Sequence, residues 1–124
     1  MKKIGFIGMG NMAQAMAEGF IKSGMVNSND ISGFAPNQEK LALNCQKLGI
    51  NPCSSLESLI EKSDTLFMAC KPYQIDDVLG KVKDKLNGKS ILSVAAGWDF
   101  KRYKEVLHDG VRVQCIMPNT PVAV

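Results

Sequence analysis

The feature that most constrains this chain is its opening run, Ile4-Gly5-Phe6-Ile7-Gly8-Met9-Gly10-Asn11-Met12-Ala13. Ile4, Phe6 and Ile7 form a short apolar strand that leads straight into Gly8-x-Gly10-x-x-Ala13. Met12, Ala15, Met16, Gly19 and Phe20 then recur at the spacing of one helix face, which predicts a helix with the methionines at 12 and 16 packed in the core. Strand, glycine turn and helix in immediate succession is the context in which such a pattern holds a dinucleotide. Gly8 permits a tight turn, Gly10 lets backbone approach a pyrophosphate, and Ala13 lets the helix lie close to its strand. The start of the helix offers unpaired N–H groups and partial positive charge to phosphate oxygens.

The rest of the chain repeats the alternation. Residues 31–35 read as a second strand ended by Pro36, and Asn37 as the N-cap of a helix carrying Leu41, Cys45 and Leu48 inward to a stop at Gly49. Residues 50–53 read as a short extended piece, and Ser54-x-x-Glu57 as a capping box for a brief helix. Residues 65–70 are continuously apolar, as in a strand buried on both faces. Ile75, Val78, Leu79, Val82 and Leu86 mark a further helix, residues 90–94 a strand, and Phe100, Tyr103 and Leu107 a helix capped by Asp99. Residues 111–117 read as the last strand. Alternating strands and helices predict an α/β fold, a Rossmann-type doubly wound parallel sheet forming a single nucleotide-binding domain over residues 1–124. The final strand runs into Met117-Pro118-Asn119-Thr120-Pro121 and a few apolar residues, so half of a larger enzyme is expected.

Composition narrows the function classes. A length of 124 residues suits one domain, and 45% hydrophobic with 22% charged residues is ordinary for a globular protein. The net charge of +3 is spread along the chain without a basic run, so neither nucleic acid nor a membrane surface is an expected partner. Glycines interrupt the apolar start too often for a secretion signal. Cys45, Cys53, Cys70 and Cys115 are far apart with only His108 as a histidine partner. No metal site is expected, and free thiols in a reducing cytoplasm are.

In a doubly wound sheet the ligand sits beyond the carboxyl ends of the strands, where this chain collects its small and polar residues. The candidate cofactor-binding residues are Gly8, Met9, Gly10, Asn11, Met12, Asn37, Ala69, Lys71, Pro72, Ala95, Ala96, Gly97, Asn119 and Thr120. Phe34-Ala35-Pro36-Asn37-Gln38 carries no acid to hold a ribose 2′-hydroxyl, and Asp30 precedes its strand and so lies at the wrong sheet edge. NADP is therefore expected ahead of NAD, with Asn37 and the helix it caps receiving the 2′-phosphate and Lys40 as the nearby cation. His108 lies at a helix end facing away from the crevice, and nothing near Cys70 would activate it as a nucleophile.

Taken together, Phe6-Ile7-Gly8-Met9-Gly10-Asn11-Met12, Ala69-Cys70-Lys71-Pro72, Ser93-Val94-Ala95-Ala96-Gly97 and Met117-Pro118-Asn119-Thr120-Pro121 resemble the pyrroline-5-carboxylate reductases over the whole chain. The resemblance implies reduction of 1-pyrroline-5-carboxylate to L-proline by NAD(P)H, the last step of proline biosynthesis. It implies that residues 8–12 hold the pyrophosphate, that Asn37 lies near the adenosine ribose, and that Ala69, Lys71 and Pro72 line the centre of the cofactor. Ala95, Ala96, Gly97, Asn119 and Thr120 would border the nicotinamide. It further implies a helical C-terminal domain, absent from these 124 residues, that makes the protein a homo-oligomer and supplies the substrate contacts and proton donor. Catalytic side chains are thus unassigned. Cys70 departs from the aliphatic residue usual there. The alternatives are a hydroxyacid dehydrogenase of the 3-hydroxyisobutyrate type, which shares the opening motif, and a non-catalytic NAD(P)-binding module.

Overall fold

The computed structural model describes residues 3–93, 100–107 and 110–115. Six parallel strands form one sheet: β1 (Ile4–Ile7), β2 (Ile31–Phe34), β3 (Asn51–Pro52), β4 (Thr65–Met68), β5 (Ser90–Ser93) and β6 (Arg112–Cys115). Their order is β3-β2-β1-β4-β5-β6. Five helices connect them: α1 (Asn11–Lys22), α2 (Gln38–Leu48), α3 (Leu56–Lys62), α4 (Ile75–Val82) and α5 (Phe100–Val106). This is the doubly wound arrangement of the Rossmann type that the alternation predicts.

The two faces follow from period-two alternation along the strands. Ile4, Phe6, Ile31 and Phe67 point to one side, where they pack with Ala13 and Ala17 of α1 and Leu41 and Cys45 of α2. Ile7, Leu66, Met68 and Ile91 point to the other, where they meet Leu59 and Ile60 of α3, Ile75 and Leu79 of α4, and Tyr103 of α5. Stacking of Phe6 on Phe67, with centroids 5.0 Å apart, ties β1 to β4 across the middle of the sheet.

The chain moves outward from β1 to β3 with its helices on one face. It then crosses the sheet through α3 and moves outward again from β4 to β6 with its helices on the other. The direction reverses between β1 and β4.

Four details differ from the sequence reading. In α1 the buried stripe is Ala13 and Ala17, with Met16, Phe20 and Ile21 packed beside them, and Met12 is 47% exposed rather than part of the core. The inward face thus lies one residue on from the one marked by Met12, Ala15 and Gly19. The brief helix α3 is capped by Ser55 and not Ser54: Ser55 is extended and its Oγ accepts the Ser58 N–H at 3.1 Å. The run at 65–70 pairs only to Met68, and the run at 31–35 only to Phe34, because the ladder ends where both chains leave the sheet. The helical stripe to Leu86 is α-helical to Val82, then tightens into a 3₁₀ turn over Lys83–Lys85 that still buries Leu86. Asn37 and Gly49 bound α2 as expected, with Asn37 Oδ1 accepting the Lys40 N–H at 3.1 Å. The Asp99 cap and the side chain of Phe100 lie outside the described residues.

Candidate functional site

Strand register sets the site. Ile7 pairs with Phe34 on one side and Met68 on the other, Met68 with Ser93, and Ser93 with Cys115. These five residues form one row, and the turns that follow Ile7, Phe34 and Met68 leave the sheet along a single edge. The reversal between β1 and β4 opens that edge into a crevice, the position at which open α/β sheets take ligands.

The turn after β1 occupies the centre. The Gly8 N–H donates to Phe34 O at 2.8 Å, and Ala69 N–H donates to Ile7 O at 2.9 Å, so the three chains stay together as they exit. Gly8 has φ +99°, and a Cβ there would lie 2.8 Å from both Ala69 O and Cys70 N. No other residue type fits without displacing the neighbouring backbone. Gly10 is the opposite case. Its φ of −76° and ψ of −171° are open to any residue, and a Cβ would meet nothing within 4 Å. Packing among the described residues therefore does not require glycine at 10, whereas close approach of a ligand to the backbone does.

The helix start beside Gly10 is built for an anion. The first intrahelical bond of α1 runs from Gln14 N–H to Gly10 O at 3.0 Å, so the N–H groups of Asn11, Met12 and Ala13 have no acceptor within the helix. Among the described residues no side chain caps them, and no acid stands in the first turn. By contrast, α2 and α3 each have a side-chain cap and a glutamate in the first turn. The macrodipole leaves about half a positive charge at such an end. A pyrophosphate fits this cradle: open space over Gly10 and three N–H groups without helix acceptors.

Two residues that the sequence reading passed over hold the cradle in shape. Met9 O accepts from Gln14 Nε2 at 3.0 Å and from Asn44 Nδ2 at 3.5 Å. Across a trans peptide the C=O and the next N–H point in opposite directions. Anchoring Met9 O against α1 and α2 therefore turns the Gly10 N–H outward. The Met9 side chain is 5% exposed and packs against β2, where its sulfur would lie 3.1 Å from a Cβ at Gly33. Met9 thus offers the crevice its backbone alone. Nothing in sequence spacing marks Asn44, whose contact forms only once α2 lies beside α1, while Gln14 reaches back five residues to the turn before its own helix.

The other expected residues fall as follows. Asn37 is exposed just beyond β2, at the start of α2, whose first turn carries Glu39 and Lys40. Gln38 Nε2 closes this corner on Ala35 O at 2.8 Å. Ala69 and Cys70 are half-buried beside Gly8, and burial pushes the Cys70 thiol up from its ordinary value, away from nucleophile chemistry. Lys71 is exposed, and its N–H donates to Gln74 Oε1 at 3.2 Å where Pro72–Gln74 form a 3₁₀ turn. Asp30 ends the turn that enters β2, at the far edge, as expected. Ala95, Ala96, Gly97, His108, Asn119 and Thr120 lie outside the described residues.

An apolar cavity of about 290 Å³ opens at the far edge, between the C-terminal end of α1 and the entering ends of β1 and β4, with Ile4, Phe20, Met25 and Phe67 in its wall. Its lining includes neither the glycine turn nor the start of α1. Among the described residues no group of histidines, cysteines and acids could hold a metal ion, and no helix is long and apolar enough to cross a membrane.

A parallel sheet that reverses at β1/β4, with a glycine turn and an unoccluded helix start at the reversal, defines a dinucleotide-binding fold of the Rossmann type. The chain belongs to the family of NADP oxidoreductases, coenzyme F420-dependent, whose family model matches residues 3–97. It is 38% identical over 125 residues to the pyrroline-5-carboxylate reductase of Treponema pallidum, covering 98% of this chain and 47% of that protein. The structure of a pyrroline-5-carboxylate reductase from Coxiella burnetii superposes with a TM-score of 0.87 at 30% identity, covering 97% of this chain and 45% of the other. The pyrroline carboxylate reductase of Plasmodium falciparum with NADP bound gives 0.82 at 27% identity, with 97% and 43% covered. The chain spans about half the length of the curated relatives it matches.

Proposed function

We infer that this chain is the NADP(H)-binding half of an enzyme that reduces 1-pyrroline-5-carboxylate to L-proline. The observation that carries the reading is the cradle at the β1/β4 reversal, with its open space over Gly10 and its uncapped α1, in a chain that is similar throughout to pyrroline-5-carboxylate reductases. The outward N–H of Gly10 and those of Asn11, Met12 and Ala13 bind the pyrophosphate. Gly8 contributes the turn that lets it approach, and Met9 the anchored carbonyl. One nucleoside then lies over β2, with Asn37 and the start of α2 at the 2′-phosphate. The other lies over β4 and β5, past Ala69, Lys71 and Pro72, with Ala95, Ala96, Gly97, Asn119 and Thr120 assigned to the nicotinamide end by resemblance. With no acid in residues 34–38, NADPH is preferred and NADH accepted.

When bound, the reduced nicotinamide supplies a hydride to the imine carbon. The chain's own residues do the rest by position. They fix the donor on one side of the crevice, and the role of proton donor to the imine nitrogen is assigned to none of them. Such positioning accounts for a large part of the rate in reactions of this kind. The substrate wall and the proton come from the part of the enzyme to which the remaining half of the relatives corresponds, and that half also makes the homo-oligomer. Free thiols at Cys45, Cys53 and Cys70 suit a reducing cytoplasm.

The test fuses residues 1–124 to the C-terminal half of the Treponema pallidum relative and follows NADPH absorbance on addition of pyrroline-5-carboxylate. The fusion is expected to oxidise NADPH in a substrate-dependent way, and the 124 residues alone to bind NADPH without oxidising it. A fusion that folds and binds NADPH but gives no proline contradicts the assigned reaction. Substantial turnover by the short chain contradicts the division of the active site.

A further inference from the structure

Strand β2 carries a glycine in its interior that no turn accounts for. Gly33 pairs with Phe6 on one side and Pro52 on the other, and its O accepts the Cys53 N–H at 2.8 Å. Among the described residues the glycines of positive φ are Gly8, Gly24, Gly49 and Gly88, so the backbone at 33 is one that any residue adopts. A glycine inside a strand weakens it, and such a residue often marks a close approach. Here the approaching group is a side chain. A Cβ at 33 would lie 3.1 Å from Met9 Sδ, 3.7 Å from Leu41 Cδ1 and 3.8 Å from Cys45 Sγ.

Met9 is the variable residue of Gly8-x-Gly10, and it is seated in the space that Gly33 leaves. It is buried in one cluster with Leu41 and Cys45 of α2 and with Phe6 and Ile31 of the sheet. The end of β2 thus holds the turn twice. Phe34 O accepts the Gly8 N–H at 2.8 Å, and Gly33 receives the Met9 side chain. With its carbonyl held by Gln14 and Asn44, residue 9 is fixed at side chain and backbone alike, and the peptide it shares with Gly10 is fixed with it. A methyl group at 33 would stand tighter than ordinary van der Waals contact to the sulfur, with Leu41 and Cys45 against the same methyl. The sulfur must then give way, and the 9–10 peptide turns with it.

Resting on the reading that the cradle takes the pyrophosphate of NADP(H), we propose that Met9 and Gly33 are a size-matched pair that sets the direction of the Gly10 N–H, which makes Gly33 a positioning residue for the pyrophosphate. Gly33 is buried and touches no part of the cofactor. It acts through Met9, so its effect belongs to ligands that carry the pyrophosphate and is absent for one that carries only the adenosine 2′-phosphate end. Size matching also makes the pair reciprocal. A methyl added at 33 and a side chain shortened at 9 exchange volume across one contact, and volume-conserving exchanges are those a core tolerates best.

The experiment measures the affinities of NADPH and of adenosine 2′-monophosphate, which lacks the pyrophosphate, on wild type, Gly33→Ala, Met9→Ala and the double variant. Affinities come from calorimetry, with melting curves in parallel. Gly33→Ala is expected to weaken NADPH by about tenfold, the lower range for a hydrogen bond to a charged group, and to leave adenosine 2′-monophosphate within about twofold of wild type. Shortening Met9 in the same protein is expected to bring NADPH back to within about threefold of wild type, a coupling that residues in contact show and distant ones do not. Met9→Ala alone completes the cycle: the two single losses should sum to more than the loss of the double variant. A Gly33→Ala protein that binds NADPH as wild type does overturns the proposal, and so does a double variant no better than Gly33→Ala. Equal weakening of both ligands overturns it too, since a defect of the fold alone behaves that way. If Gly33→Ala does not fold, a folded double variant that binds NADPH supports the size match, and an unfolded one overturns it. Wild-type protein that binds adenosine 2′-monophosphate as tightly as NADPH contradicts the pyrophosphate cradle, and wild-type protein that binds neither ligand contradicts the underlying cofactor reading.

Discussion

Replacing Gly10 by valine separates the fold from the site. The backbone at 10 is extended and a Cβ there enters open space, so the native chain accepts the branch without strain. Substituting glycine at a compatible position stabilises by about 0.4–1 kcal/mol through the unfolded chain, but Gly10 is the N-cap of α1, where valine is less favourable than glycine by a similar amount, so Tm should stay close to the wild-type value. Binding is what changes. The branch fills the space between the outward N–H of Gly10 and those of Asn11 and Met12, where the pyrophosphate would rest. Hydrogen bonds to a charged group are worth about 1.5–3 kcal/mol each, so losing two costs about 3–6 kcal/mol. At about 1.4 kcal/mol per tenfold, Kd for NADPH rises by at least about a hundredfold. The assay is quenching or enhancement of NADPH fluorescence on titration, beside a melting curve by circular dichroism. A variant that melts cooperatively near the wild-type Tm and binds NADPH with unchanged Kd would refute the reasoning.

Three further outcomes follow from the same structure. Gly8→Ala forces φ +99° on a residue with a Cβ and drives it into the Ala69 and Cys70 backbone, so Tm should fall by about 8–15 °C from combined strain and overpacking, measured by scanning calorimetry. Ala35→Asp places a carboxylate after β2, and the ratio of NADH to NADPH affinity should rise at least about tenfold, through ribose hydrogen bonds and repulsion of the 2′-phosphate. Burial, with the neighbouring Cys53 adding to it, pushes the Cys45 thiol from 9.0 to about 11. Between those values the unfolded chain releases the proton and the folded one keeps it. The contribution is therefore complete below pH 9.0 and lost as pH rises to about 11, and Cys45→Ala should flatten that part of a Tm-against-pH curve.

The sequence was most legible where local chemistry and tertiary role coincide. The run from Ile4 to Ala13 announces strand, turn and helix through its apolar residues and through Gly8, whose positive φ the turn requires. Asn37 and Gly49 mark α2 because a cap and a stop are local events. Legibility fails where partners decide. The facing side of α1 is misread because its buried residues, Ala13 and Ala17, are small, while Met12 is large, apolar and exposed. Ser54 and Ser55 are equivalent on paper, and only the extended backbone of Ser55 aims an oxygen at Ser58. The two-residue strand β3 ends in a proline and exists because β2 offers it an edge. Asn44 matters through the carbonyl of Met9, a contact that no spacing rule can reach. The seat of Met9 on Gly33 is hidden likewise, since a residue within a turn and a glycine within a strand give no sign of each other.

The most direct test of the account is a map of which backbone amides respond when NADPH is added to the 15N-labelled chain. Saturable shifts are expected, centred on Gly8, Gly10, Asn11 and Met12, and extending to Asn37 on one side and to Ala69, Cys70 and Lys71 on the other. The wall of the apolar cavity at Phe20, Met25 and Phe67 should stay unmoved. Shifts confined to that cavity, or no saturable shift at the glycine turn, would contradict the claim that the crevice at the β1/β4 reversal holds NADP(H).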